Sequence, residues 1–316
     1  MNKGYNYLVD ELYSNKEKIY EILKIPEEEI ELDFVVNKEW LIENLENEEV
    51  KIIDCRYDLA NSDLGKELYQ ESHLPGAFHF DLKEQLSAPV SKHGGRHPLP
   101  DLNQFKKDIE KVGIDKSKTV IAYDDGSAMY ASRFWWLLKY VGHEKVYVLN
   151  EGFAGWMEAE YPITKEIPKS IPVKYEVNIQ KDMLASVKEV KDIVENDKDQ
   201  TVLIDSRANE RYLGEVEPID KVAGHIPGAI NKVWGEGLRD GAFKSEEEQK
   251  DRFSELDKDD SVVVYCGSGV SATPNYIALK MAGFTDVKLY AGSYSDWVSY
   301  DDNEVETGNS IKDDKD

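Results

Sequence analysis

Four short apolar runs punctuate the chain: Val50-Lys51-Ile52-Ile53-Asp54, Thr119-Val120-Ile121-Ala122-Tyr123, Thr201-Val202-Leu203-Ile204-Asp205 and Ser261-Val262-Val263-Val264-Tyr265. Runs of this length and Val/Ile content predict buried strands. Between them lie stretches of helical character, such as the amphipathic segment Tyr130–Leu138 and the run from Pro274 through Ile277, Ala278 and Met281. Strands that alternate with crossover helices predict an α/β protein whose sheets are mainly parallel and flanked by helices.

The runs come in two sets. Val50–Asp54 is followed by His73-Leu74-Pro75-Gly76-Ala77, and Thr201–Asp205 by His225-Ile226-Pro227-Gly228-Ala229. Thr119–Asp124 then matches Ser261–Cys266, and Gly152-Phe153-Ala154-Gly155-Trp156 matches Gly292 to Trp297. Shared landmarks in one order at similar spacings define a duplicated folding unit. This predicts two domains, over residues 33–165 and 175–300. Pro162, Pro168 and Pro172 interrupt periodicity in the linker between Tyr161 and Tyr175. Residues 1–32 have no counterpart in the second half, and Tyr7, Leu8, Leu12, Ile19, Ile22 and Leu23 predict an added amphipathic helix there. Residues 301–316 are polar and acidic, and are expected to form a disordered tail.

Charge changes the picture by exclusion. With 39 basic and 63 acidic side chains the formal charge is −24, which argues against nucleic acid and anionic membrane surfaces as partners. A small anionic substrate answers to its pocket's local field instead. No signal-peptide core and no run of about 18 apolar residues is present, and two cysteines cannot form a disulfide framework, so a cytoplasmic setting is expected. No Cys/His cluster has zinc spacing.

Candidate chemistry centres on Cys266. A buried-type strand delivers it into the glycine-rich turn Gly267-Ser268-Gly269-Val270-Ser271-Ala272, which opens a helix with Pro274 in its first turn. Inward-facing N–H groups of such a turn, together with the positive end of a helix, favour a thiolate over a thiol. The first half carries Asp124 at this place, so one half is catalytic and the other is not. Cys55 reads as a strand-end packing residue. A cysteine-dependent phosphatase would need an arginine six residues beyond the nucleophile, where this chain has Ala272.

The duplicated landmarks and the Cys266–Ala272 loop resemble the tandem rhodanese-domain sulfurtransferases, over residues 33 to 300. The resemblance implies two rhodanese-like domains, an inactive first and a catalytic second. It also implies a sulfur atom carried as a Cys266 persulfide from a small anionic donor to cyanide or a thiol acceptor, such as thioredoxin or a small thiol. No metal or organic cofactor is called for. Cys-Gly-Ser-Gly-Val is similar to the 3-mercaptopyruvate type, whereas the thiosulfate type has basic residues after the cysteine. Cys266 and Ser268 are the implied catalytic residues; Arg211, Gly267, Gly269, Val270 and Ser271 are the implied substrate-binding ones, with Arg211 taking the donor's carboxylate. The 3-mercaptopyruvate type usually has a second arginine shortly after; the equivalent place here is Pro218-Ile219-Asp220-Lys221, a departure for which Lys221 is the substitute on offer. The resemblance offers His73 with Asp63 as a relay to Ser268, against the alternative of a histidine that caps the turn before Pro-Gly. The basic loop His93–His97 could border the cleft, but a solvated loop is the simpler reading. A non-catalytic rhodanese-like binding module is the competing class.

Overall fold

A computed structural model describes residues 34–196 and 201–309. The helix expected over residues 1–32 and the last residues of the tail lie outside the described residues. Two parallel sheets organise the chain. In the first, strands β1 (Val35–Val36), β2 (Val50–Asp54), β3 (Ala77–His79), β4 (Thr119–Tyr123) and β5 (Val146–Leu149) take the order β1-β5-β4-β2-β3. The second contains β6 (Thr201–Asp205), β7 (Ile230–Asn231), β10 (Ser261–Tyr265) and β11 (Val287–Leu289) in the order β11-β10-β6-β7, and β8 (Leu238–Arg239) pairs with β9 (Ala242–Phe243) as a hairpin beside it. The four apolar runs are the central strands β2, β4, β6 and β10, with cores buried on both faces as the missing alternation required.

The duplication extends to register. Asp54 stands opposite Tyr123 in β2–β4, and Asp205 opposite Tyr265 in β6–β10. At both strand ends the aspartate meets an arginine two residues on: Arg56 Nη2 lies 2.6 Å from Asp54 Oδ2, and Arg207 Nη2 2.6 Å from Asp205 Oδ2. Each of these arginines also bonds a carbonyl further along the chain, Ser72 or Gly224, and so ties the strand end to the loop before the Pro-Gly turn.

Two helices join the domains. The segment expected to be amphipathic is the helix Met129–Tyr140, but ten of its twelve residues are buried. It lies against the helix Ala272–Met281, itself buried on nearly every side, with Trp135 and Tyr276 ring centroids 6.1 Å apart. A helix enclosed by its own sheet on one side and a second domain on the other needs no polar face. One apolar cluster therefore runs from Ile53 and Val120 through Phe134 to Val264 and Ile277, across both sheets.

Residues 301–309 correct the expectation of disorder. Trp297 Nε1 donates to the Glu304 carbonyl at 2.8 Å, Glu306 forms a bridge with His225, and Gly308 N donates to the Leu213 carbonyl at 2.9 Å. The first half does the same: Trp156 Nε1 donates to the Pro162 carbonyl, and Thr164 bridges His73. This segment is thus the closing strap of the second repeat unit. Its acidity reflects its exposed side chains, while its backbone is held by a buried tryptophan and a buried histidine. No helix among the described residues is long and apolar enough to cross a membrane.

Candidate active site

Strand β10 ends at Tyr265, and Cys266 follows at the carboxyl edge of the sheet, 1% exposed. Its N–H donates to Ser293 Oγ at 3.1 Å, and its Sγ accepts from Gly269 N–H at 3.1 Å. The loop closes this tightly because Gly269 has φ +77°, and an added Cβ there would collide with the Ala291 carbonyl. Val270 is buried, and its carbonyl accepts from both N–H and Oγ1 of Thr273. Ser271 caps the helix Ala272–Met281 without a side-chain hydrogen bond to it.

The first domain places its loop 93–97 over this one. Gly94 N donates to Asp296 Oδ1 at 2.7 Å, Arg96 N to Ser295 Oγ at 3.1 Å, and His93 stacks on Tyr300 with centroids 4.0 Å apart. The reading of this segment as a solvated loop is therefore overturned. It is a bridge between domains, and two of its side chains reach the cysteine loop. His97 Nδ1 is 2.8 Å from Ser268 Oγ. Arg96 forms an ion pair with Asp220, and its Nη2 comes within 2.7 Å of where a Cβ on Gly267 would sit.

Arg211 reaches the same place from the second domain. It shares Asp220 at 2.9 Å, pairs with Glu217 through Nε and Nη2, and puts both Nη atoms 3.5 Å from the Cβ position of Gly267. Two guanidinium groups thus meet beside Gly267, the residue after Cys266, held together by one buried carboxylate. Burial pushes Asp220 up, against the pull of Arg96 and Arg211 and with Glu217 adding to the rise. Lys221, the substitute offered for a second arginine, is exposed, and the guanidinium found beside Arg211 is that of Arg96 from the first domain. Burial pushes His97 down to about 4, helped by the neighbouring Arg133 and Arg96, so its ring is neutral at pH 7.

His73 is not the partner of Ser268. It is fully buried, with Nδ1 2.6 Å from the Tyr69 carbonyl and Nε2 3.1 Å from the Glu166 carbonyl, and it stacks on Tyr69. Asp63 is exposed at the start of the helix Leu64–Glu71. Both belong to the first domain's scaffold, where the histidine fixes the closing strap. The sequence signal for His97 was its place in a Gly-Gly-Arg-His-Pro segment unmatched in the other repeat.

Cys55 is fully buried, and burial next to Asp54 and Asp124 pushes its thiol well up. Among the described residues no cluster of His, Cys, Asp or Glu could hold a metal ion.

Two parallel-sheet domains, one strand end with a cradled cysteine and the other with an aspartate, define a duplicated domain pair. The Rhodanese-like domain family matches residues 37–159 and 186–300. A Pseudomonas aeruginosa protein described as a probable 3-mercaptopyruvate sulfurtransferase is 39% identical over 274 residues, covering 85% of this chain and 96% of that one. The thiosulfate sulfurtransferase of Rattus norvegicus is 31% identical over 83% of this chain and 91% of its own. The crystal structure of the 3-mercaptopyruvate enzyme of Escherichia coli superposes with a TM-score of 0.73 at 31% identity, covering 83% of this chain and 99% of that one. The chain belongs to the rhodanese family as a tandem-domain sulfurtransferase.

Proposed function

We propose that Cys266 receives a sulfur atom from 3-mercaptopyruvate, in preference to thiosulfate, and passes it from a persulfide to a thiol such as that of thioredoxin or a small thiol, or to cyanide. The single observation that carries this reading is the loop geometry: a buried Sγ accepting from Gly269 N–H, at the mouth of a helix, with Arg96 and Arg211 beside Gly267. The Sγ anion attacks the donor's transferable sulfur. The bond between that sulfur and the donor breaks, and its electron pair leaves with the donor, as the enolate of pyruvate or as sulfite. An acceptor nucleophile then attacks the outer sulfur, and the electron pair of the S–S bond returns to Cys266.

The arginine pair suits a carboxylate or an oxyanion through parallel N–H donors. Gly267 and Ser268 leave the loop itself without a cation, so the positive charge beside it comes from Arg96 and Arg211. In this reading the Ser268 hydroxyl donates to the donor's carbonyl, and neutral His97, 2.8 Å from Ser268 Oγ, takes a proton from Ser268 or from the donor thiol through it. Gly267, Gly269, Val270 and Ser271 provide the backbone floor of the site.

Exposure of the pure protein to each donor, followed by peptide mass spectrometry, tests the carrier. One added sulfur on the Cys266 peptide is expected, and turnover without it would sink the reading. Specificity ratios for the two donors test the preference: a kcat/KM for thiosulfate equal to or above that for 3-mercaptopyruvate would reverse it.

A further inference from the structure

We infer that Arg133, supplied by the domain without a cysteine, is the buried counter-charge of the Cys266 sulfur anion, a positioning residue that makes the first domain part of the nucleophile's charge balance. This role rests on Cys266 being the sulfur carrier.

Three arginines are fully buried: Arg56, Arg133 and Arg207. Arg56 and Arg207 lie on carboxylates, as a buried guanidinium ordinarily must. Arg133 does not. Its Nη1 donates to the Gly269 carbonyl at 2.9 Å, and its Nη2 to the Leu86 and His97 carbonyls at 3.2 and 3.1 Å; its Nε has no hydrogen-bond partner among the described residues. Every acceptor is neutral, so the charge is solvated by dipoles but balanced by no permanent anion. Burial lowers Arg133 to about 10, and the one charge acting in the other direction is Cys266.

The connection between the two is short. Gly269 donates its N–H to Cys266 Sγ and accepts Arg133 Nη1 at its carbonyl, so a single residue couples cation and sulfur. The same guanidinium holds the carbonyl of His97, whose ring meets Ser268. The other charged or titratable groups around the loop are already engaged. Arg96 and Arg211 pair with Asp220, Arg211 also with Glu217, Asp296 accepts from Gly94 N and Tyr290 Oη, and His97 is neutral. The repeat supplies a control. In the first half the same place holds a carboxyl, Asp124, which burial and Asp125 push up to about 6, and the residue matching Arg133, counted back from Gly142 and Gly283, is Pro274. Of the two loops, the one that carries the cysteine is the one reached by a buried guanidinium from the facing domain.

The test uses the full chain with Arg133→Met, Arg133→Gln and Arg133→Lys. The readouts are the pH dependence of Cys266 alkylation by iodoacetamide, followed on its peptide, and the 240 nm absorbance difference from the matching Cys266→Ser chain; Cys55, pushed well up by burial, stays silent near neutrality. Met and Gln should move the half-reaction pH upward by about one unit or more, while Lys, which keeps the charge, leaves it near the wild-type position. Wild-type titration in Met and Gln overturns the proposal. Should those two fail to fold, Lys decides: a wild-type profile in a chain with a lower melting temperature supports the charge, and an upward shift assigns the effect to hydrogen-bond geometry and overturns it. Absence of sulfur on wild-type Cys266 after donor exposure would remove the carrier reading and this role with it. Normal sulfur loading with an unshifted profile removes this role alone.

Discussion

Asp124 and Cys266 occupy the same structural place, each the first residue beyond the central strand whose last tyrosine faces the conserved-in-repeat aspartate, Asp54 or Asp205. The Asp124 carboxylate accepts from the N–H groups of Gly126, Ala128, Tyr130 and Ala131 at 2.9 to 3.2 Å. A carboxylate oxygen sits one bond beyond the γ atom, as the outer sulfur of a persulfide does. The first domain therefore displays, at a carboxyl that burial pushes up to about 6, the charge that the second domain's loop is proposed to hold transiently. Asp124→Ala should leave sulfur transfer largely intact and cost about 2–4 kcal/mol of stability, because several buried N–H groups lose their acceptor together. Denaturant unfolding checks the stability, and a donor assay on the folded variant checks the activity.

Gly267 and Gly269 separate donor binding from loop integrity. A methyl on Gly267 meets the end of the flexible Arg96 side chain, so Gly267→Ala should fold normally and raise KM for 3-mercaptopyruvate several-fold through a displaced guanidinium. A methyl on Gly269 meets the Ala291 carbonyl at a left-handed backbone position, so Gly269→Ala should lose about 2 kcal/mol or more and most of its turnover. Melting curves beside steady-state kinetics distinguish the two, and equal effects would contradict the assignment.

Arg96→Ala and Arg211→Ala should each raise KM for an anionic donor by roughly tenfold, about 1.4 kcal/mol, with a smaller change in kcat. Because both guanidinium groups share Asp220, the double variant should fall short of the product of the single effects. A double-mutant cycle in kcat/KM measures the shortfall. Full additivity would mean that the two arginines act independently.

The sequence made the sheets, the duplication and the cysteine loop legible because each is local: a strand is an apolar run, and the loop is seven consecutive residues. What it hid depends on packing between distant segments. Arg96, Arg133 and His97 come from the first domain and reach the cysteine loop only because the helices Met129–Tyr140 and Ala272–Met281 pack together. Nothing in the spacing of a Gly-Gly-Arg-His-Pro segment states which domain it will cover. His73 misled for a related reason: a histidine before Leu-Pro-Gly-Ala occurs in both halves, and in both it holds the closing strap, as His225 does with Glu306. The ordered part of the tail was recoverable, since Trp156 and Trp297 are repeat landmarks and each binds the strap that follows it.

His97 makes the fold acid-sensitive in a definite window. Its folded value is about 4 against an ordinary 6.5, so between those limits the unfolded chain takes up a proton that the folded chain refuses. Stability contributed by the neutral, buried ring is fully present above about pH 6.5 and is lost as pH falls towards 4, with a ceiling of about 3 kcal/mol. His143 is lowered to about 4 by burial as well and contributes in the same direction. His97→Gln, which cannot titrate, should therefore remove about half of the acid loss arising from these two groups while leaving the pH 8 plateau offset by a constant amount. Urea unfolding of both chains at pH 8, 6.5, 5.5 and 4.5 measures the difference. Curves that stay parallel through the whole range would show that His97 titrates alike in the folded and unfolded chains, and that it can be charged where it meets Ser268.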